Sequence, residues 1–297
     1  MNTVRFLSTP LDGLAEAATP ESLAGLHPLW AADMAGYAAG GNGITVCGPC
    51  TSSLDVAWRL LGEGSLDHWE SVLAPAQRAG RGQLGREWIS EPGNVFAALA
   101  WPGEDRDWGL ITPLVAGYLV VEYLERRGVA ARLKWPNDIL VAGSGPSPGG
   151  LAKAGGILVE ERGGRVLAGI GLNLVTVPDA AALRRDRAVP AARLADHGFA
   201  EGPLTLWDRL VNSMRAGYVS LQTDKGPLEA IDLIQARLAW LGERVTVAEG
   251  AGESYTARIL GLAPDGGLVL ARDRGGEKIV YSGQISKPGE QSFTEAI

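Results

Sequence analysis

Apolar residues at Leu54, Ala57, Trp58 and Leu61 recur every three or four positions, the spacing of one buried helix face, and predict a helix over 54–61. Ser52 or Ser53 stands where its cap belongs. Both serines also admit a second role, with hydroxyls pointing into a pocket. The same period predicts long helices over 108–127 (closed by Gly128), 204–221 and 228–241, and short ones over 21–26 and 27–37 before the turn at 40–43. Apolar runs bounded by Gly, Pro and polar residues predict strands over 44–46, 71–77, 87–90 and 95–101. Two strand pieces are expected within 131–141, joined at Trp135-Pro136-Asn137-Asp138, followed by a hairpin tip at 144–150. Strands over 153–160 and 166–174 pair across Arg162-Gly163-Gly164, and glycines 155, 156, 169 and 171 inside them imply that something packs directly on the backbone. From Gly242 the pattern changes to short alternating strands over 244–248, 255–262, 268–272 and 277–282, with turns at 264–267 and 273–276. The expected organisation is an extension over 1–43, a main domain over 44–241 and a small β-barrel-like domain over 242–297.

Length and composition agree with one large core plus a small domain, and no run approaches the roughly 18 apolar residues of a membrane span. The N-terminus lacks the basic start and apolar core of a signal peptide, so a cytoplasmic location is expected. Net charge is −7, and no Lys or Arg occurs between Arg5 and Arg59. A DNA-reading module needs cations to neutralise phosphates, so that stretch is not read as one and no nucleic-acid partner is expected. The chain's two cysteines form Cys47-Gly48-Pro49-Cys50, which looks like the redox centre of thioredoxins. Val46 replaces the tryptophan expected before the first thiol, and the long remainder does not read as that small fold. Two cysteines cannot complete a four-thiolate zinc site, and His27, His68 and His197 show no motif spacing to them.

The chemistry concentrates in Gly80-Arg81-Gly82-Gln83-Leu84-Gly85-Arg86, a loop between strands with Trp88 two positions on. Glycines let backbone N–H groups approach an anion, and guanidinium forks pair with carboxylate or phosphate. The letters also spell a dinucleotide fingerprint, but Pro92 and Gly93 prevent the helix that such a site requires. A kinase glycine loop would be accompanied by H-R-D and D-F-G triplets, which do not occur. Lys134, Asn137 and Asp138 are polar amid apolar neighbours; turn chemistry accounts for Pro-Asn-Asp but not for the lysine beside it.

In order, Thr51-Ser-Ser-Leu-Asp-Val-Ala57, Gln77 to Trp88, Lys134-Trp-Pro-Asn-Asp138, Lys153-Ala-Gly-Gly-Ile-Leu-Val-Glu160 and Gly169-Ile-Gly-Leu-Asn173 resemble the biotin–protein ligases, over roughly 45–175. The final domain resembles the SH3-like C-terminal domain of that family. The resemblance implies an α+β fold: a mixed sheet with helices packed on it, like the class II synthetases, then the small SH3-like barrel. It implies that biotin is joined to the α-phosphate of ATP, with Mg²⁺, and that the adenylate passes its biotin to a lysine of a biotin carboxyl carrier protein. Ser52, Ser53 and Gln77 would then bond biotin, with Gly80, Arg81, Gly82, Gln83 and Gly156 lining its site. Lys153 would meet the carboxylate and later the bridging oxygens, beside Arg81 as a catalytic group. Trp88 would stack on adenine with Asn137 and Asn173 nearby, and Arg86 and Lys134 would meet phosphates. Asp138 would orient the incoming amine, and the glycine loop would close over the adenylate. No metal ligand follows from a motif. Two departures stand out: Leu54 and Gln83 occupy positions where the family carries polar Asn and Arg. The early residues lack the charge of the helix-turn-helix in repressor-type members, so a ligase without operator binding is expected. The rivals are a lipoate or octanoate ligase, which would carry a histidine after its arginine motif, and a non-catalytic biotin-binding regulator. The sequence is silent on oligomeric state, a homodimer being among the options.

Overall fold

A computed structural model describes residues 4–38, 42–103, 106–143, 150–178, 189–249 and 253–288. Its strands are β1 (Val4–Phe6), β2 (Ile44–Val46), β3 (Ser71–Ala74), β4 (Val95–Trp101), β5 (Ala131–Lys134), β6 (Asp138–Ala142), β7 (Leu151–Arg162) and β8 (Arg165–Leu172). Near the C-terminus follow β9 (Arg244–Glu249), β10 (Glu253–Leu262), β11 (Leu268–Arg272), β12 (Glu277–Val280) and β13 (Gln284–Ser286). The helices are α1 (Pro20–Ala24), α2 (Pro28–Gly36), α3 (Ser53–Gly62), α4 (Arg106–Arg126), α5 (Pro203–Asp224) and α6 (Pro227–Gln235). The chain divides into two compact units, one of Met1–Glu104, Ala154–Val177 and Arg193–Gly217, the other of Asp105–Lys153, Pro178–Ala192 and Tyr218–Ile297.

The first unit carries a mixed sheet in the order β1-β2-β3-β4-β8-β7, parallel from β1 to β3 and antiparallel beyond. β2, β3 and β4 are buried at every position, so their sequences do not alternate; they are mostly apolar, and Thr45 and Ser71 are the polar residues buried with them. Ser52 caps α3, its Oγ accepting from the Leu54 amide at 3.2 Å. α3 buries Leu54, Val56, Ala57, Leu60 and Leu61 against Val72, Ala74, Ala98, Ala100 and Leu167, each large side chain contributing about 1.5–3 kcal/mol. Trp58, expected on that face, sits at its margin. Gly169 is needed beneath α3, because a Cβ there would stand 2.8 Å from Leu54 Cδ1. The early residues belong to this unit: the buried Asp33 of α2 accepts from the amides of Leu204 (2.8 Å) and Thr205 (3.3 Å) and caps α5.

Two expectations fail here for local reasons, and one strand was not expected. The strand expected over 71–77 ends at Ala74, because Pro75 has no N–H for the ladder. Residues 87–90 form no strand; they touch their neighbours through single backbone bridges, Arg81 with Glu87 and Gln77 with Ser90, before Pro92 and Gly93 (φ +96°) turn the chain away. β1 was not foreseen, since three residues are too short to display a period; it pairs with β2.

In the second unit α4 closes, as expected, near Gly128 (φ +81°), and β5 and β6 pair around the Trp135–Pro136 cis bond. The helix expected over 228–241 stops at Gln235. The next residues bond to β5 instead, Leu133 N–H to Arg237 O and Ala239 N–H to Leu133 O, both at 2.9 Å, and Trp240 takes φ +61°. β12-β11-β10-β9-β13 is an antiparallel five-stranded sheet; β13, opened by Gly283 at φ +139°, was not anticipated. Trp135 Nε1 donates to Gly266 O at 3.0 Å, tying the β5–β6 turn to this sheet. The tip expected at 144–150 lies, but for Gly150, outside the described residues. No helix among the described residues is long and apolar enough to cross a membrane.

Candidate functional site

The glycine loop is a tight hairpin. Trp88 N–H donates to Gly80 O at 2.8 Å and Gly82 N–H to Arg86 O at 2.7 Å, closing the stem. The tip, Gln83–Gly85, turns through left-handed backbone at Leu84 (φ +58°) and Gly85 (φ +69°), leaving Leu84 exposed. Gly80 is required by crowding: a Cβ would lie 2.4 Å from Trp88 O and 2.7 Å from Ser90 Oγ. Arg86 and Glu87 are exposed on the return limb.

Gln77 knots this stem to α3. Its Oε1 accepts from Ser53 N–H (2.8 Å) and Ser53 Oγ (3.2 Å), and its Nε2 donates to Ser90 Oγ at 2.9 Å. Ser52, Ser53 and Gln77 are thus brought together, and Ser90 joins them unforeseen. The indole of Trp88 lies on β8, where a Cβ on Gly171 would come within 2.8 Å of it; Gly156 of β7 stands directly opposite Gly171. The expectation that something packs on these glycines is met at Gly171 by Trp88 and at Gly169 by Leu54. Asn173 follows at the end of β8, and the turn after it is shaped by buried Asn94, whose Oδ1 accepts from the amides of Leu174, Val175 and Thr176 at 2.9–3.1 Å. Nothing in the motif pattern marks Asn94; its partners are 80–82 residues away.

Arg81 forks onto Asp55 (Nη1–Oδ2 3.0 Å, Nη2–Oδ1 2.8 Å) and reaches Glu160 Oε1 at 3.2 Å. Hydrogen bonds from Arg81 to Asp55, opposed by partial burial, hold the guanidinium charged even more firmly than usual. Asp55 and Glu160 both stood inside the motifs without a role, because only the fold brings them to Arg81.

In the second unit Asp138 joins the two lysines singled out from the sequence. Lys134 Nζ lies 3.1 Å from Oδ2 and Lys153 Nζ 2.5 Å from Oδ1. Burial pushes the Asp138 carboxyl up, but Lys153 and then Lys134 outweigh it, and the group titrates below the usual carboxylate range. The strand pairing of Lys134 with Asp138 and the bond from Asn137 N–H to Lys134 O at 3.1 Å fix the turn. The backbone at Lys153 is clamped by Pro190 O (2.7 Å) and the Ala192 amide (2.8 Å). Two ammonium groups share this one carboxylate, an arrangement suited to a further carboxylate or phosphate. Cys47 and Cys50 are buried free thiols; the hydrogen bond with Cys50, then burial, pushes the Cys47 thiol well above its ordinary range. Among the described residues no cluster of three or more His, Cys, Asp or Glu could hold a metal ion.

Residues 47–175 match the model of the Biotin/lipoate A/B protein ligase family, and residues 240–287 that of the Biotin protein ligase C terminal domain. A biotin--[acetyl-CoA-carboxylase] ligase of Paracoccus denitrificans is 32% identical over 72% of this chain and 88% of its own length. One from Mycobacterium tuberculosis is 28% identical over 71% and 76%. The solved structure of the biotin protein ligase from Aquifex aeolicus in complex with biotin and ATP covers 82% of this chain and 97% of its own, with a TM-score of 0.65 and 24% identity, a likeness of fold. The chain belongs to the biotin protein ligase family.

Proposed function

We propose that this chain activates biotin with ATP to biotinyl-5′-AMP and transfers the biotin to a lysine of a biotin carboxyl carrier protein of acetyl-CoA carboxylase or a related carboxylase. In the first step a biotin carboxylate oxygen bonds to the α-phosphorus and pyrophosphate leaves. In the second the acceptor amine attacks the acyl carbon, loses a proton and releases AMP. The observation that carries this reading is the Lys134–Asp138–Lys153 group, whose fixed ammonium charges suit anions that gain charge in both steps. Lys153 takes the carboxylate and then the bridging oxygens; Lys134, with Arg86, takes phosphate. Trp88 offers an aromatic face to adenine, Asn137 and Asn173 are assigned to the nucleotide as well, and Ser52, Ser53 and Gln77 hold biotin. Mg²⁺ would enter with the nucleotide as part of the substrate. Asp138, expected to orient the acceptor amine, serves first to hold the two lysines. A cytoplasmic location follows from the supply of ATP and carrier.

The C-terminal match favours biotin over lipoate or octanoate. Pyrophosphate release is the test, measured with each of the three acids, followed by label transfer to a carrier domain. Release that depends on biotin alone is expected. Release with octanoate or lipoate instead would select the rival ligase, and biotin binding without release would select a regulator.

A further inference from the structure

We propose that Asp55 and Glu160 are positioning residues that make Arg81 the latch of the glycine loop, leaving biotin's carboxylate to Lys153. The proposal rests on the biotin reading above. Arg81 stands at the root of the hairpin, bridged through its backbone to Glu87. Its side chain makes a two-pronged fork with Asp55, the geometry that most restricts a guanidinium. Asp55 lies in the first turn of α3 and is itself fixed by Thr51 Oγ1 at 3.1 Å. Glu160, on β7, also accepts at Oε2 from Trp58 Nε1 and from Arg162, both at 2.7 Å, and Arg162 lies over the Trp58 ring at 4.6 Å. Each carboxylate is therefore held in place before it meets Arg81.

Side-chain exposures are 35% for Arg81, 25% for Asp55 and 19% for Glu160, so these pairs are screened less than surface ones. The guanidinium already faces two carboxylates. A third, from biotin, would meet Asp55 across the same fork and be repelled. As a latch, by contrast, Arg81 ties the loop root to the helix that carries Ser52 and Ser53 and to the strand that carries Gly156. Its contribution is then to the time biotin stays, not to recognition of its charge.

Binding and dissociation of biotin and of biotinol, which has an alcohol in place of the carboxylate, separate these roles. The proteins are wild type, Arg81→Gln, Arg81→Lys, Asp55→Asn, Glu160→Gln and the Arg81→Gln/Asp55→Asn double variant. Arg81→Gln and Asp55→Asn should each speed dissociation of both ligands about tenfold, as for a partly buried charge-assisted pair, with association unchanged. The double variant should be no worse than either single one. Arg81→Lys should recover part of the residence time when Asp55 is present and none in the Asp55→Asn background. Glu160→Gln gives a second, milder version of the same loss if Asp55→Asn fails to fold. The inference is overturned if Arg81→Gln weakens biotin but not biotinol, if Asp55→Asn and Glu160→Gln both leave dissociation at the wild-type rate, or if the double variant's losses add. A wild-type chain that binds neither ligand would overturn the biotin reading itself and this inference with it.

Discussion

Replacing Asp138 by Asn keeps the shape of the side chain and removes the charge that two lysines share. In the wild type Lys153 Nζ stands 2.5 Å from one oxygen and Lys134 Nζ 3.1 Å from the other. The amide retains one acceptor oxygen and turns an NH₂ group toward the second ammonium. Breaking a buried ion pair costs about 3–5 kcal/mol when the charge left behind cannot reach water. Lys134, at 12% side-chain exposure, is close to that limit, but Lys153, at 31%, can turn outward. The loss at pH 7 is therefore expected at about 2–4 kcal/mol, toward the lower end of the range for one trapped and one escaping charge.

The pH dependence supplies an independent check. Asp138 titrates below its usual range, with burial opposing and the two lysines, Lys153 foremost, prevailing. A carboxyl whose folded pKa is depressed gives stability that is complete above its unfolded value, about 3.9, and lost as pH falls through the folded value. The gap between wild type and Asp138→Asn should hold from pH 7 to about 5 and close below about 3.9. Denaturant titrations at pH 7, 5 and 3 measure it. The two half-reactions then separate the roles of the residue: if Asp138 holds the lysines, biotin-dependent pyrophosphate release should fall about 10²–10³-fold, as for loss of a fixed electrostatic group. Adenylation at the wild-type rate with only amide formation impaired would refute the lysine-holding role, as would a stability loss under about 0.5 kcal/mol at pH 7, the size of an ordinary surface change.

Gly171→Ala would press a methyl to 2.8 Å from the Trp88 ring, against an ordinary contact of about 3.5–4.0 Å, so the indole must retreat by about 1 Å. KM for ATP should rise about 10–100-fold with KM for biotin little changed; an unchanged ATP value would remove Trp88 from adenine binding. Asn94→Ala strands three backbone N–H groups and should cost about 2–4 kcal/mol, read from the urea midpoint, with a shift under about 0.5 kcal/mol counting against the assignment. Cys47 and Cys50, buried and with the Cys47 thiol held protonated, should resist iodoacetamide in the native protein and react on unfolding; alkylation of the folded chain at the rate of a free thiol would contradict this.

What the sequence discloses and what it hides divide along a physical line. Ser52 as a cap, the β5–β6 turn with Lys134 and Asp138, and the paired glycine-bearing strands β7 and β8 were legible because each depends on neighbours within a few residues. The strand expected over 71–77 and the helix expected over 228–241 were overlong for opposite reasons: Pro75 ends the first locally, whereas the second yields to backbone bonds with β5, about 100 residues away. The partners of Arg81 belong to the second kind. Asp55 and Glu160 lie 26 and 79 residues from it, and an acidic residue in a helix or at a strand end reads as a solvated charge until the fold closes. An arginine in a glycine loop therefore reads from sequence as an open anion receptor, yet its chemistry is set by the carboxylates that reach it first. Lys153 is different: its carboxylate, Asp138, is shared with Lys134, two cations to one anion, where Arg81 faces both Asp55 and Glu160. On the function proposed above, that difference in local charge is why the lysine pair, rather than the conspicuous arginine, is assigned the substrate anion.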